Sequence, residues 1–170
     1  MPAVAEHELQ AEYGAAVTVN NEGIPGTTAD SIMNGTDGKH LPWVQLMANS
    51  KAQIVLANYG INDASRYHNE SATAYGLNLA QMVDAARASG KIMVLVEPNA
   101  ICDKVDRPKF PDYVAQMRSV AAAKNVPLVP NYDLVNAATP DCLHPLAPQY
   151  AEMGVRLAKA LAPFVATLLK

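Results

Sequence analysis

Asp141 and His144 stand three residues apart near the C-terminus, in Asp141-Cys142-Leu143-His144-Pro145. That spacing lets a carboxylate reach one ring nitrogen of an imidazole, fix its tautomer and support its charge when the other nitrogen takes a proton. Two polar, glycine-bearing loops lie upstream: Asn21-Glu22-Gly23-Ile24-Pro25-Gly26-Thr27-Thr28 and Gly60-Ile61-Asn62-Asp63. Gly26 has no Cβ, so its backbone N–H can come close to a small oxygen. Asn62 carries an NH2 that could donate to a tetrahedral oxyanion, a contact worth about 3 kcal/mol at comparable sites. Base, orienting acid and two donors are the parts of ester hydrolysis. Taken singly, each also fits a plainer role: a capping Asp beside a surface His, a turn glycine, an Asx-turn. No serine precedes Ser31.

These loops need a scaffold, and the chain alternates short apolar runs with amphipathic stretches, the pattern of parallel strands joined by crossover helices. Strands are expected at 16–20, 53–58, 91–96 and 127–129. The first rests on the β-branched content of Ala16-Val17-Thr18-Val19-Asn20. Helices are expected at 3–13, 29–34, 41–49, 70–89, 112–124 and 146–161, with Pro163 kinking or restarting the last. The Gly26 loop follows the first strand, the Asn62 loop the second, and the Asp141–His144 loop comes after the last. In open parallel sheets, sites gather beyond the carboxyl ends of the strands.

At 170 residues the sequence suits one domain, 1–170, with a sizeable core. The net charge of −3 and the scattered basic residues argue against nucleic acid or an anionic membrane surface as a partner. No apolar run approaches the roughly 20 residues that span a bilayer. The N-terminus has no basic start and no long apolar stretch, so it does not read as a signal peptide. The cysteines and histidines show no metal-ligand spacing, and no cofactor is expected. Cys102 and Cys142 fit two readings equally: two reduced thiols, or one disulfide implying an oxidising compartment.

In order and spacing the three loops resemble the SGNH (GDSL-type) hydrolase family. The matching pieces are Val19 to Thr28 for its second block, Gly60-Ile61-Asn62-Asp63 for its third and Asp141-Cys142-Leu143-His144 for its fifth. The resemblance implies a three-layer α/β/α sandwich, flavodoxin-like, around a five-stranded parallel sheet. It also implies ester hydrolysis through an acyl-enzyme, with Gly26 and Asn62 as oxyanion donors, His144 as base and Asp141 as its partner. Substrates would be small-molecule esters with short acyl or aryl groups.

The family's first block, Gly-Asp-Ser at the end of the first strand, has no counterpart ahead of Asn21. The expectation is therefore an N-terminally truncated domain whose first strand and nucleophile are missing. Ser31, in Ala29-Asp30-Ser31, imitates that block. However, no apolar strand runs into Asp30, and Thr27-Thr28 fits a helix cap. The resemblance places the absent strand between the second and third. The gap would then close by direct pairing of 16–20 with 53–58, or by a segment of another chain in a homo-oligomer. Both cysteines would lie on the catalytic edge. A Cys102–Cys142 bridge would tether the His144 loop and favour a secreted or periplasmic location. Two competing functions are a non-catalytic relative that binds acyl or sugar esters, and an unrelated flavodoxin-like binding domain. The absence of a G-x-x-x-x-G-K-[ST] loop weighs against nucleotide for the latter.

Overall fold

The computed structural model describes residues 1–68, 70–102, 105–135 and 141–170. Among these, three strands form one parallel sheet in the order β1 (Ile54–Ala57), β2 (Ile92–Val96), β3 (Leu128–Val129). Ile54 pairs with Ile92 and Ala57 with Leu95, while Leu95 and Val96 pair with Leu128 and Val129. Side chains alternate across a strand, and β2 uses both faces. Val94 and Val96 join one apolar cluster, while Met93 and Leu95 join the other.

Two helices, α1 (Pro2–Tyr13) and α6 (Ala147–Leu168), cover the first face, with Ala5, Leu9, Leu157, Leu161 and Val165 buried. Four helices cover the second: α2 (Ala29–Asn34), α3 (Trp43–Asn49), α4 (Ala72–Ala88) and α5 (Phe110–Lys124). The fold is thus the expected α/β/α sandwich with a parallel sheet. Its first face closes because Gly154 lets α1 approach α6. A Cβ there would lie 2.6 Å from Val4 Cβ and 2.8 Å from the Met1 carbonyl oxygen.

Two expectations fail. Residues 16–20 are not a strand. Their backbone is held by α1 side chains: Gln10 Nε2 donates to the Val17 carbonyl, and the Val19 N–H donates to Glu6 Oε1. Nor do they pair with 53–58, since β1 is an edge strand bonded only to β2 among the described residues. The β-branched run has the propensity for a strand but no neighbouring strand to bond. Val17, Val19, Ile54 and Leu56 are left half-buried on one apolar cluster. Second, α6 continues through Pro163 to Leu168 instead of ending at 161, so of the two outcomes expected at Pro163 the restart does not occur. Pro163 is exposed, so the helix carbonyl that loses its partner there faces water rather than the core.

Candidate active site

The loop after β1 is assembled around a buried carboxylate. Gly60 donates its N–H to Asp63 Oδ2 at 2.8 Å, and Ala29, the first residue of α2, donates to Asp63 Oδ1 at 2.6 Å. Asp63 is fully buried, so an unpartnered carboxylate there would be costly. Burial pushes its carboxyl up, and the Ala29 and Gly60 N–H groups work against that. Asp63 thereby locks the Asn62 loop to the loop that precedes α2. Asn62 completes the join by donating through Nδ2 to the Thr27 carbonyl at 3.0 Å. Thr27 in turn closes the 24–27 turn onto the Ile24 carbonyl through its hydroxyl, at 2.8 Å. Gly26 sits in that turn with φ 81°, a left-handed conformation that favours glycine.

The second pair is as expected. His144 Nδ1 lies 2.7 Å from Asp141 Oδ2, while Asp141 Oδ1 accepts from the N–H groups of Leu143 and His144 at 3.0 and 2.9 Å. A carboxylate on Nδ1 puts the proton there and leaves the Nε2 lone pair outward. The His144 side chain is 66% exposed, so Nε2 is open to a reactant.

The loop after β2 holds the His144 loop in place. Cys102 and Cys142 form a disulfide with Cα atoms 5.0 Å apart. The Cys102 N–H donates to the Cys142 carbonyl at 3.1 Å, and Asn99 Nδ2 to the Leu143 carbonyl at 3.0 Å. Asn58, just past β1, donates through Nδ2 to the carbonyls of Val96 and Glu97 at 2.9 and 3.0 Å. Both site loops are therefore anchored at the carboxyl ends of adjacent parallel strands. Asn62 is brought to the Gly26 turn, and His144 to Asp141. No hydrogen bond joins the two pairs among the described residues.

Ser31 does not approach either pair through a hydrogen bond. Its Oγ donates to the Thr28 carbonyl at 2.8 Å and accepts from the Thr28 N–H at 2.9 Å, while its own N–H bonds Thr28 Oγ1 at 3.1 Å. These bonds form the capping box of α2. Asn58, Asp63 and Asn99 were not singled out from sequence. Asp63 had a legible signal, since an acidic residue directly after Gly60-Ile61-Asn62 closes a polar loop. The two asparagines had none beyond lying just after apolar runs. No group of three or more metal-ligating side chains occurs among the described residues.

A parallel α/β/α sandwich with these loops on one edge is the framework of a carboxylic ester hydrolase. The chain belongs to the GDSL-like lipase/acylhydrolase family, whose pattern matches residues 2–151. No curated protein matches it. Several solved structures share its fold. An aryl esterase from M. smegmatis, in its inhibitor-bound form, has a TM-score of 0.78 at 18% identity, covering 95% of this chain and 84% of that one. A lipase/acylhydrolase from Enterococcus faecalis has 0.73 at 19%, covering 96% and 87%. Axe2, an acetylxylan esterase from Geobacillus stearothermophilus, has 0.69 at 20%, covering 96% and 79%. A catalytic mutant of Axe2 carries alanine in place of a serine.

Proposed function

We propose that residues 1–170 form a single domain that hydrolyses small carboxylic esters, with short acyl or aryl groups, by Ser-His-Asp chemistry. Asp141 holds the His144 ring with its proton on Nδ1. His144 Nε2 removes the proton of an attacking hydroxyl and later returns it to the leaving alcohol. Gly26 N–H and the second hydrogen of the Asn62 amide donate to the tetrahedral oxyanion. The observation that carries this reading is the Asp141–His144 pair, with Nε2 exposed and the ring fixed at 2.7 Å. The expected test is turnover of a chromogenic short-chain ester. Release of the chromophore should fall by about 10³-fold or more in H144A.

The capping bonds of Ser31 support a helix role for it, so the hydroxyl is proposed to come from a strand laid against the unpaired edge of β1. A second copy of this chain in a homo-oligomer is one way to cover that edge and complete the sheet, but it holds no Gly-Asp-Ser strand and so does not itself supply the hydroxyl. The edge is apolar on both faces: Ile54 and Leu56 sit on one cluster and Val55 on the other. Unpaired edges of this kind are templates for strand addition. The Cys102–Cys142 bridge supports a secreted or periplasmic location, and no helix among the described residues is long and apolar enough to cross a membrane.

The engagement of Ser31 also favours a second reading, an ester- or carbohydrate-binding relative without turnover. Equilibrium binding of the same ester with no chromophore release would select it.

A further inference from the structure

Asp37-Gly38-Lys39-His40 is a second D-x-x-H in this chain, and it has the same local geometry as the first. Asp37 Oδ1 accepts from the N–H groups of Lys39 and His40 at 3.0 and 2.8 Å, and Oδ2 lies 2.7 Å from His40 Nδ1. What differs is the surroundings. The side chains of Asp37 and His40 are 2% and 9% exposed, against 54% and 66% for Asp141 and His144. His40 Nε2 does not face solvent but Glu22 Oε2, at 3.5 Å. Lys39 Nζ reaches the same oxygen at 2.6 Å.

Glu22 lies on the loop that carries Gly26, and the Thr27 carbonyl of that loop receives the Asn62 amide. The anchoring loop is tightly turned and bonded back to α2. Gly35 turns at φ 67° so tightly that a Cβ would lie 2.6 Å from Pro42 N, and the Thr36 N–H bonds the Ser31 carbonyl at 2.8 Å. The Asp37 carboxylate also faces Tyr59 at the end of β1, whose hydroxyl is pushed up by burial first and then by Asp63 and Asp37.

We propose that Asp37 and His40 form a positioning pair that grips Glu22 and thereby sets the Gly26–Thr27 turn against Asn62. The functional consequence rests on the oxyanion reading above, but the grip itself does not. Asp37 keeps a proton on Nδ1, so the ring donates toward Glu22 only when Nε2 is protonated as well. A neutral ring turns a lone pair to the Glu22 carboxylate and leaves Lys39 to hold it alone. The charged or titratable groups facing His40 are Asp37 and Lys39 on its own loop and Glu22 opposite, with Tyr59 and Asp63 behind Asp37 at the strand end. Position of the oxyanion turn therefore follows the charge of His40. A ring that merely filled space would not produce that dependence.

The test uses the full chain, isotopically labelled, and follows the His40 ring, the Asn62 side-chain NH2 and the Gly26 amide by NMR between about pH 5 and pH 9. The Asn62 and Gly26 signals should move together with the His40 ring signals. E22Q, at a mostly exposed side chain, should abolish that movement. H144A should leave it intact. Asn62 and Gly26 signals that ignore pH, or whose movement disappears in H144A or survives E22Q, overturn the proposal. Ester turnover is measured in parallel. A coupled turn without turnover sinks the hydrolase reading and spares the grip. Turnover without coupling sinks the grip alone.

Discussion

Asn62 Nδ2 donates to the Thr27 carbonyl oxygen at 3.0 Å, joining loops 35 residues apart in sequence. This bond uses one amide hydrogen and fixes the plane in which the other points. Removing a single oxyanion donor typically costs about 10²–10³ in kcat, because the donor acts mainly where charge develops and only weakly on bound substrate. Asn62→Ala should therefore lower kcat by about that factor with KM nearly unchanged. Steady-state kinetics on a short-chain chromogenic ester measure it. A kcat within about threefold of the parent would remove Asn62 from the oxyanion site.

Asp141 binds the His144 loop twice, through Oδ1 to two backbone N–H groups and through Oδ2 to the ring. Asp141→Asn keeps the shape but offers an NH2 or a neutral oxygen to Nδ1. Where the NH2 faces the ring, the proton moves to Nε2 and the base is lost, a change worth about 10⁴-fold in kcat in a comparable triad. The expected result is a drop of several orders of magnitude in kcat with a melting temperature close to the parent's. A D141N protein that unfolds in the assay range would show instead that the carboxylate serves the loop fold.

The disulfide closes a loop of 40 residues between Cys102 and Cys142. A bridge over that separation contributes about 2–4 kcal/mol. Reduction or the C102S/C142S double variant should lower the melting temperature. It should also lower turnover at temperatures where the fold survives, since the loop then keeps the Cys102–Cys142 backbone bond and the Asn99–Leu143 bond but loses its covalent tie. Thiol counting by mass spectrometry on unreduced protein should find neither cysteine free.

The elements that were legible from sequence are those whose signal is local and periodic. Tyr75, Leu79, Met82, Val83 and Ala86 recur at helical spacing and are all buried on α4. The apolar run of β2 is bounded by Gly90 and Pro98. Residues 16–20 misled because Val17, Thr18 and Val19 have strand propensity, whereas a strand also requires a partner edge that propensity does not report. The Asp141–His144 pair was legible because four consecutive residues of one loop hold both its members. The Asp63 bond to Ala29 spans 34 residues and appears only once the loop after β1 is folded against α2. Asp37 and His40 repeat the D-x-x-H spacing, but only burial and the opposing Glu22 separate their role from that of Asp141 and His144.

Glu70 gives a pH dependence that sequence does not suggest. Burial first, and then the Asp63 charge, push its carboxyl from an ordinary 4.5 up to about 7. One oxygen accepts from Asn78 Nδ2 at 2.8 Å, and the other is buried with no hydrogen-bond partner among the described residues. Between about pH 4.5 and 7 the native state binds the proton that the unfolded chain has released, so stability falls as pH rises through that window. Glu70→Gln keeps the Asn78 bond and removes the charge. It should flatten the slope and raise the melting temperature above pH 7. Parallel melting curves for parent and variant across the window would contradict this.

Gly154 tests the packing that seats the N-terminal helix. A Cβ at this position would overlap Val4 Cβ and the Met1 carbonyl oxygen. The Met1 carbonyl accepts the Ala5 N–H at the start of α1, so it cannot swing aside without loosening the first turn. α1 also bonds the extended segment that precedes the Gly26 loop, through Gln10 to Val17 and Glu6 to Val19. Gly154→Ala is a better helix former by about 1 kcal/mol, yet overpacking of this kind costs about 1–3 kcal/mol. The overlap should win, giving a net loss of stability in chemical denaturation. Hydrogen exchange should rise in α1 and at Val17 and Val19 before it rises in α4 or β2. A stabilised G154A protein would mean that α1 rides on α6 loosely enough to yield, and that the 16–20 segment is positioned by something other than that helix.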